Sequence, residues 1–355
     1  MILLQKYFAA ANTGRGFVGW FDDIFNPRCF ERTYIIKGGS GTGKSTLMKK
    51  IAKCAEERSY ECEYFYCSSD PLSLDGIIVH KKDGSSFAML DGTAPHTTDP
   101  KYPGAADEII NLGEYWCADL LRAQRDEIVS LCDKKSRLYA AAYSDFSAAG
   151  TLLGYIKNEV QSALMKDKLD AASMRLLTKR MHECRIKKGK SVRRIRSLSA
   201  LSCRGEVAFD SFSDVKVVLS AVDVSGSVPF LFDSLIECAN KLGLSYDRAP
   251  MPLIPELTEA IRFPELSMSV ISTSDRTDTR LINMSRFVDR EKLALCDRPR
   301  MRLIKKAASE LKESGLSKLA AAKECHDNVE RIYIGAMDFT RLEAAGERII
   351  ERVFM

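Results

Sequence analysis

The segment that most limits what this chain can fold into is residues 33–55. A short β-branched and aromatic run, TYIIK at residues 33–37, leads without a spacer into GGSGTGKST at residues 38–46. Leu47, Met48, Ile51, Ala52 and Ala55 then recur at helical spacing, with Lys and Glu on the other face. The order is strand, glycine-rich loop, amphipathic helix, which is the context that a G-x-x-x-x-G-K-[ST] loop requires. An α/β fold follows, with the loop at the carboxyl edge of a doubly wound sheet.

Each residue type in the loop has a chemical reason. Gly38, Gly39, Gly41 and Gly43, with Ser40, Thr42 and Thr46 between and after them, let successive backbone N–H groups converge on phosphate oxygens, and the new helix adds its positive dipole end. Lys44 places a point charge on the β- and γ-phosphates, and the Ser45 hydroxyl is positioned to hold Mg²⁺. The expected ligand is Mg-ATP. Adenine is favoured by elimination, because Asn240-Lys241 is followed by Leu242-Gly243 and no Asn-Lys-x-Asp segment that reads guanine is present.

A second metal contact calls for an apolar strand ending in Asp, and Phe87-Ala88-Met89-Leu90-Asp91 supplies it after an Asp83-Gly84 turn. Gly92 follows, so the Asp-Glu pair of many motor ATPases is absent and no catalytic glutamate is visible. Asp70 and Asp75 fall in the loop after the strand ECEYFYC, at the same sheet edge. Either is a candidate to accept a proton or align a water, and both are equally good turn-formers. His96, in the loop after Asp91, is similarly placed, though a lone loop histidine is more often structural.

The chain also repeats itself. Ile51, Cys54, Ala55, Glu63, Pro71 and Ile77 meet Leu235, Cys238, Ala239, Asp247, Pro255 and Ile261 at one offset (235 − 51 = 184), and Ile110-Asn111 meets Ile282-Asn283. In the second copy the strand VKVVLS at residues 215–220 is followed by AVDVSGSVP. Opposite Lys44 and Ser45 stand Ser227 and Val228, or Val228 and Pro229 with the register moved by one. Ser272 stands where the first copy has Asp91, so phosphate and metal binding are expected to be lost together. Two domains result: residues 1–190, with a helical extension, and residues 191–355, with C-terminal helices.

Between the copies, RIKKGKSVRRIR at residues 185–196 is dense in Lys and Arg. A solvated linker is the favoured reading over a polyanion patch, because no aromatic residues interleave for base stacking. Eleven singly scattered cysteines and four histidines argue against a zinc site. MILLQKYFAA lacks a basic n-region and no apolar run reaches membrane-spanning length, so a cytoplasmic protein with reduced thiols and no membrane partner is expected.

Taken in order, NTGRGF, KGGSGTGKSTLMKKI, CSSDPLSLDGI, LDGTAPH and DPKYPGAADEIINLGEYW, with a related second half, resemble a family of cytoplasmic bacterial tandem P-loop ATPases or nucleotide-kinase-like proteins. The resemblance implies tandem three-layer α/β/α domains with helical additions, and ATP with Mg²⁺ as cofactors. In that family the second half can also carry a Walker A loop, so AVDVSGSVP is a departure. The expected function is an ATPase or small-molecule kinase with Lys44, Asp91, Asp70 and Asp75 as candidate catalytic residues. The alternatives are a nucleotide-gated interaction protein with slow hydrolysis and, weaker, a nucleic-acid-stimulated ATPase.

Overall fold

The two stretches matched by the repeat form two sheets of the same design. In chain order the first copy runs β1 (Gln5–Phe8), β2 (Ala10–Thr13), β3 (Gly16–Gly19), α1 (Phe21–Ile24), β4 (Arg32–Lys37), α2 (Lys44–Glu57), β5 (Glu61–Tyr66), β6 (Leu74–His80), β7 (Ser86–Asp91), β8 (Asp107–Asn111), α3 (Ala118–Ala123), α4 (Arg125–Gln161) and α5 (Lys166–Cys184). The second runs β9 (Arg193–Ile195), β10 (Ser199–Ser202), β11 (Gly205–Ala208), β12 (Val217–Val222), α6 (Val228–Leu242), β13 (Tyr246–Pro250), β14 (Thr258–Phe263), β15 (Met268–Thr273), β16 (Leu281–Asn283), α7 (Arg290–Leu295), α8 (Arg298–Ala336) and α9 (Phe339–Phe354). The computed structural model describes residues 5–186, 191–222, 226–273, 280–295 and 298–354. None of its helices is long and apolar enough to cross a membrane.

Strand order is β1-β5-β6-β7-β4-β8 in the first sheet and β9-β13-β14-β15-β12-β16 in the second. In each, the third strand of that order is antiparallel to both neighbours and every other pairing is parallel. The sheets are therefore mixed rather than wholly parallel. The cause is local: the Asp83-Gly84 turn folds β6 back on β7 as a hairpin, and Gly84 takes φ +87. Register repeats as well as order. Ile36 lies between Asp91 and Ile110, and Ala221 lies between Ser272 and Ile282. The second-copy strand is Val217–Val222, two residues later than VKVVLS, because Ala221 and Val222 remain paired to β15 and β16.

Alternating faces of each sheet feed different cores. Tyr34, Ile36, Tyr64, Ile77 and Met89 pack on α2 through Leu47, Met48 and Ile51, while Ile35, Phe65, Ile78 and Leu90 turn inward. That inner cluster is shared between copies: Leu198, Phe212, Ala249 and Ala260 of the second pack with Tyr7, Phe25 and Phe65 of the first. The helices are exchanged too. Leu169 and Leu177 of α5 belong to the core of the second sheet, and Ile349 and Val353 of α9 belong to the core of the first. The long helices α4 and α8 pack on each other. Each ends on the other copy: Met165 N–H donates to the Phe287 carbonyl (2.9 Å), and Cys117 N–H donates to the Ala336 carbonyl (2.8 Å).

The basic stretch is not a solvated linker over its described C-terminal part. Arg193–Ile195 is strand β9, Arg194 Nε lies 2.6 Å from Asp247 Oδ1, and Arg196 Nε lies 2.6 Å from Glu63 Oε2. Arg196 and Glu63 are both buried and tie one copy to the other. Buried acids of the shared core draw in these cations, because an unpaired charge there would cost several kcal/mol. Residues 187–190 lie outside the described residues.

Candidate functional site

The glycine loop sits between the carboxyl end of β4 and the first turn of α2. Gly41 and Gly43 take φ values of +69 and +86, which a side chain would strain, and Gly43 caps α2. Lys44 is the first residue of α2, and its ammonium turns back over the loop. Its Nζ donates to the Gly38 carbonyl (2.9 Å) and the Gly39 carbonyl (2.6 Å) and lies 3.6 Å from Asp91 Oδ2. Thr42 Oγ1 donates to the Gly39 carbonyl (2.9 Å) and so braces the loop from inside. Ser45 Oγ accepts the Leu74 N–H at 3.0 Å, which leaves the hydroxyl's own proton and a second lone pair. Ser40 is partly buried, and Thr46 is exposed on the first turn of α2.

Asp91 is the last residue of β7, beside β4, so sheet pairing alone brings it to the loop. Its two oxygens divide their roles. Oδ1 accepts the Thr93 N–H (2.9 Å), forming the turn, while Oδ2 faces Lys44. Thr93 Oγ1 in turn donates to the Gly38 carbonyl (3.0 Å), joining the two loops.

Asp70 and Asp75 part company. Asp75 is not in the loop but is the second residue of β6, opposite the point where the β5–β6 register shifts. It is buried and joins Asp91 and His96, with ligand atoms of all three within 4.8 Å of one another. Burial pushes the Asp75 carboxyl up to about 6, and the Asp91 charge adds to that, against opposing pulls from His96, Cys67 and Lys44. Asp70 stays in the loop, caps the Leu72 N–H (3.2 Å), and lies 3.3 Å from Lys323 Nζ of α8.

His96 has a larger part than its sequence context indicated. Its Nδ1 lies 2.9 Å from the Asp91 carbonyl oxygen and its ring stacks on Phe21 at 4.6 Å. A carbonyl only accepts, so Nδ1 carries a proton, and in the neutral imidazole Nε2, 3.8 Å from Asp75 Oδ2, presents a lone pair.

Sequence reasoning missed the residues that come from the far end of the chain. A Cβ at Gly39 would lie 2.6 Å from the Tyr333 ring, and one at Gly41 would lie 2.9 Å from Glu330 Cγ and Ile334 Cγ1. Leu342 of α9 abuts Gly43 in the same way, at 3.2 Å. The second copy repeats the contact: a Cβ at Gly226 would meet Ile156 of α4 at 3.1 Å and Val160 at 4.0 Å. The matching offsets (330 − 156 = 174; 334 − 160 = 174) align α4 with α8. On that alignment Lys323, His326, Asp327 and Glu330 of α8 replace Ala149, Leu152, Leu153 and Ile156 of α4. At these positions α8 carries polar side chains where α4 carries apolar ones, a signal available only by aligning the two helices.

The second loop carries no lysine. α6 starts at Val228, so Val228 and Pro229 stand opposite Lys44 and Ser45, the second of the two registers the sequence allowed. Asp223, Val224 and Ser225 of AVDVSGSVP lie outside the described residues. Ser272, opposite Ala221, holds the Asp91 position, and Glu259 holds that of Asp75 (259 − 75 = 184). Glu259 and Ser272 line a cavity of about 520 Å³ together with Phe212, Lys305 and Lys312, away from the glycine loop. No protein-family model matches the chain, and neither the curated proteins nor the solved structures contain a significant match. The site therefore has to be read from its own geometry.

Proposed function

We propose that the chain is a P-loop NTPase that binds one Mg-ATP at residues 38–46 and uses it as an ATP hydrolase or small-molecule kinase. One observation carries the reading: Lys44, the only lysine in the glycine loop, sits on the loop's own carbonyls 3.6 Å from Asp91, the terminal residue of the adjacent parallel strand. A cation held on neutral carbonyls beside a buried carboxylate can exchange those contacts for stronger ones to anionic oxygens, and the free amides at the start of α2 add to the attraction. The donor set fits a nucleotide-bound magnesium ion. Ser45 keeps a free lone pair and Asp91 Oδ2 has Lys44 as its neighbour, so these two would hold Mg²⁺, which supplies charge neutralisation on the phosphates.

Membership of a tandem P-loop family, with a degenerate second loop, is part of the same proposal. The stoichiometry tests it. Calorimetric titration with a slowly hydrolysed ATP analogue should give one site per chain, and Lys44→Ala should leave none. A stoichiometry of two, or equal affinity in wild type and variant, would refute it.

The nucleotide-gated switch is favoured by a separate observation: Glu330, Tyr333 and Ile334 of α8 and Leu342 of α9 rest directly on the glycine loop. Any shift of that loop on binding would push on helices that begin in the second copy. Near-zero turnover with tight binding would select this reading over the enzyme. The nucleic-acid reading loses Arg194 and Arg196, whose charges are spent on Asp247 and Glu63.

A further inference from the structure

We propose that Asp75, Asp91 and His96 form a binding site for a divalent transition-metal ion, of the mixed imidazole and carboxylate type taken by Mn²⁺, Co²⁺, Fe²⁺ or Zn²⁺. The inference leans on the nucleotide reading for its purpose, because it shares Asp91, but its evidence is independent of any phosphate.

Four observations converge. The three ligand atoms lie within 4.8 Å of one another, close enough for one ion to gather them with small side-chain rotations. Asp75 Oδ2 is fully buried without a hydrogen-bond partner among the described residues, a state that costs free energy unless something electropositive meets it. His96 Nε2 faces that oxygen at 3.8 Å, too far for a hydrogen bond and close to the separation of two ligands about one ion. Its tautomer is already set for ligation, because Nδ1–H is committed to the Asp91 carbonyl, the outer contact typical of metal-bound histidines.

The donors choose the metal. Mg²⁺ prefers an all-oxygen octahedron and keeps its waters, whereas an imidazole nitrogen suits the later first-row ions. Lys44 provides an internal check. Its ammonium lies 3.6 Å from Asp91 Oδ2 and competes electrostatically for the same carboxylate. Drawing Lys44 away toward phosphate would therefore favour the ion, so nucleotide added without Mg²⁺ should bind with positive coupling to it.

Chelator-stripped, nucleotide-free protein titrated with Mn²⁺ by electron paramagnetic resonance, and with Co²⁺ by visible absorption, tests the site directly. One tightly held ion per chain is expected, which Mg²⁺ displaces poorly. His96→Ala should weaken Mn²⁺ by at least about 30-fold, and Asp75→Asn by a comparable factor, as loss of a direct ligand must exceed the roughly 10- to 100-fold range's lower end seen for outer contacts. His96→Gln serves if the alanine variant does not fold. Lys44→Ala should abolish nucleotide binding and tighten Mn²⁺, so the two readings fail separately. No saturation by about millimolar Mn²⁺ and Co²⁺, or variants within about threefold of wild type, would overturn the proposal.

Discussion

Arg196→Met should turn the pH dependence of stability around. Arg196 donates to both Glu63 oxygens, at 2.6 and 3.3 Å, and the two side chains are only 6% and 7% exposed. Burial by itself would raise the Glu63 carboxyl, but Arg196, helped by His80 at 3.0 Å, outweighs it and holds Glu63 well below the usual carboxylate range. A folded-state value below the unfolded one stabilises the wild type above about pH 4.3, and that contribution is lost as pH falls further. Methionine keeps the volume and removes the charge, so Glu63 becomes a buried carboxylate with only a partly exposed histidine beside it. Breaking such a pair costs about 3–5 kcal/mol at pH 8. The loss should shrink toward pH 5.5, as Glu63, no longer held low by Arg196, takes up a proton that the unfolded chain binds less tightly. Adding Glu63→Gln should recover most of the loss. Urea unfolding followed by circular dichroism at the two pH values measures the wild type and both variants. A loss under about 1 kcal/mol at pH 8, or an equal loss at both, would refute the buried inter-copy pair.

Gly39→Ala should cost about 1–2 kcal/mol by overpacking Tyr333, and a double-mutant cycle with Tyr333→Ala in urea unfolding should show coupling near that size; additivity would mean that α8 does not rest on the loop. Asp91→Asn should leave nucleotide binding measurable while turnover, read by phosphate release or a phosphorylated product, falls by at least about tenfold; unchanged turnover across a magnesium titration would confine Asp91 to its turn. Burial pushes the Glu259 carboxyl up to about 7, with the Ser199 hydroxyl opposing. Its folded-state value therefore exceeds the unfolded one, and stability falls as pH rises from about 4.5 to 7. Glu259→Gln should then gain up to about 3 kcal/mol at pH 8 and nothing at pH 4, as denaturation midpoints would show; no gain at pH 8 would mean that Glu259 is solvated.

Local chemistry made much of this protein legible from its sequence. Glycines, a lysine and a hydroxyl at fixed spacing between an extended run and an apolar helical stripe specify a strand, loop and helix within about 20 residues, because backbone conformation and side-chain periodicity are set by near neighbours. The same applies to Asp91, since an apolar run ending in Asp next to the loop strand needs only one sheet pairing to arrive. Self-comparison was equally informative, and the register of Ala221 between Ser272 and Ile282 reproduces its offsets.

What the tertiary structure alone decided involves partners far apart in sequence. Asp70 and Asp75 had the same loop context, and only the hairpin of β6 sent one to Asp91 and the other to Lys323. His96 gained its place from a carbonyl and a carboxylate on two different strands. The arginines of the basic stretch looked like a solvated face until the shared core placed Glu63 and Asp247 against them. Glu330 and Tyr333 reached the glycine loop because the C-terminal half of α8 crosses to the opposite copy. Charge and helical periodicity say that a face must be paired or buried; they carry no information about which distant segment does it, and that choice belongs to packing.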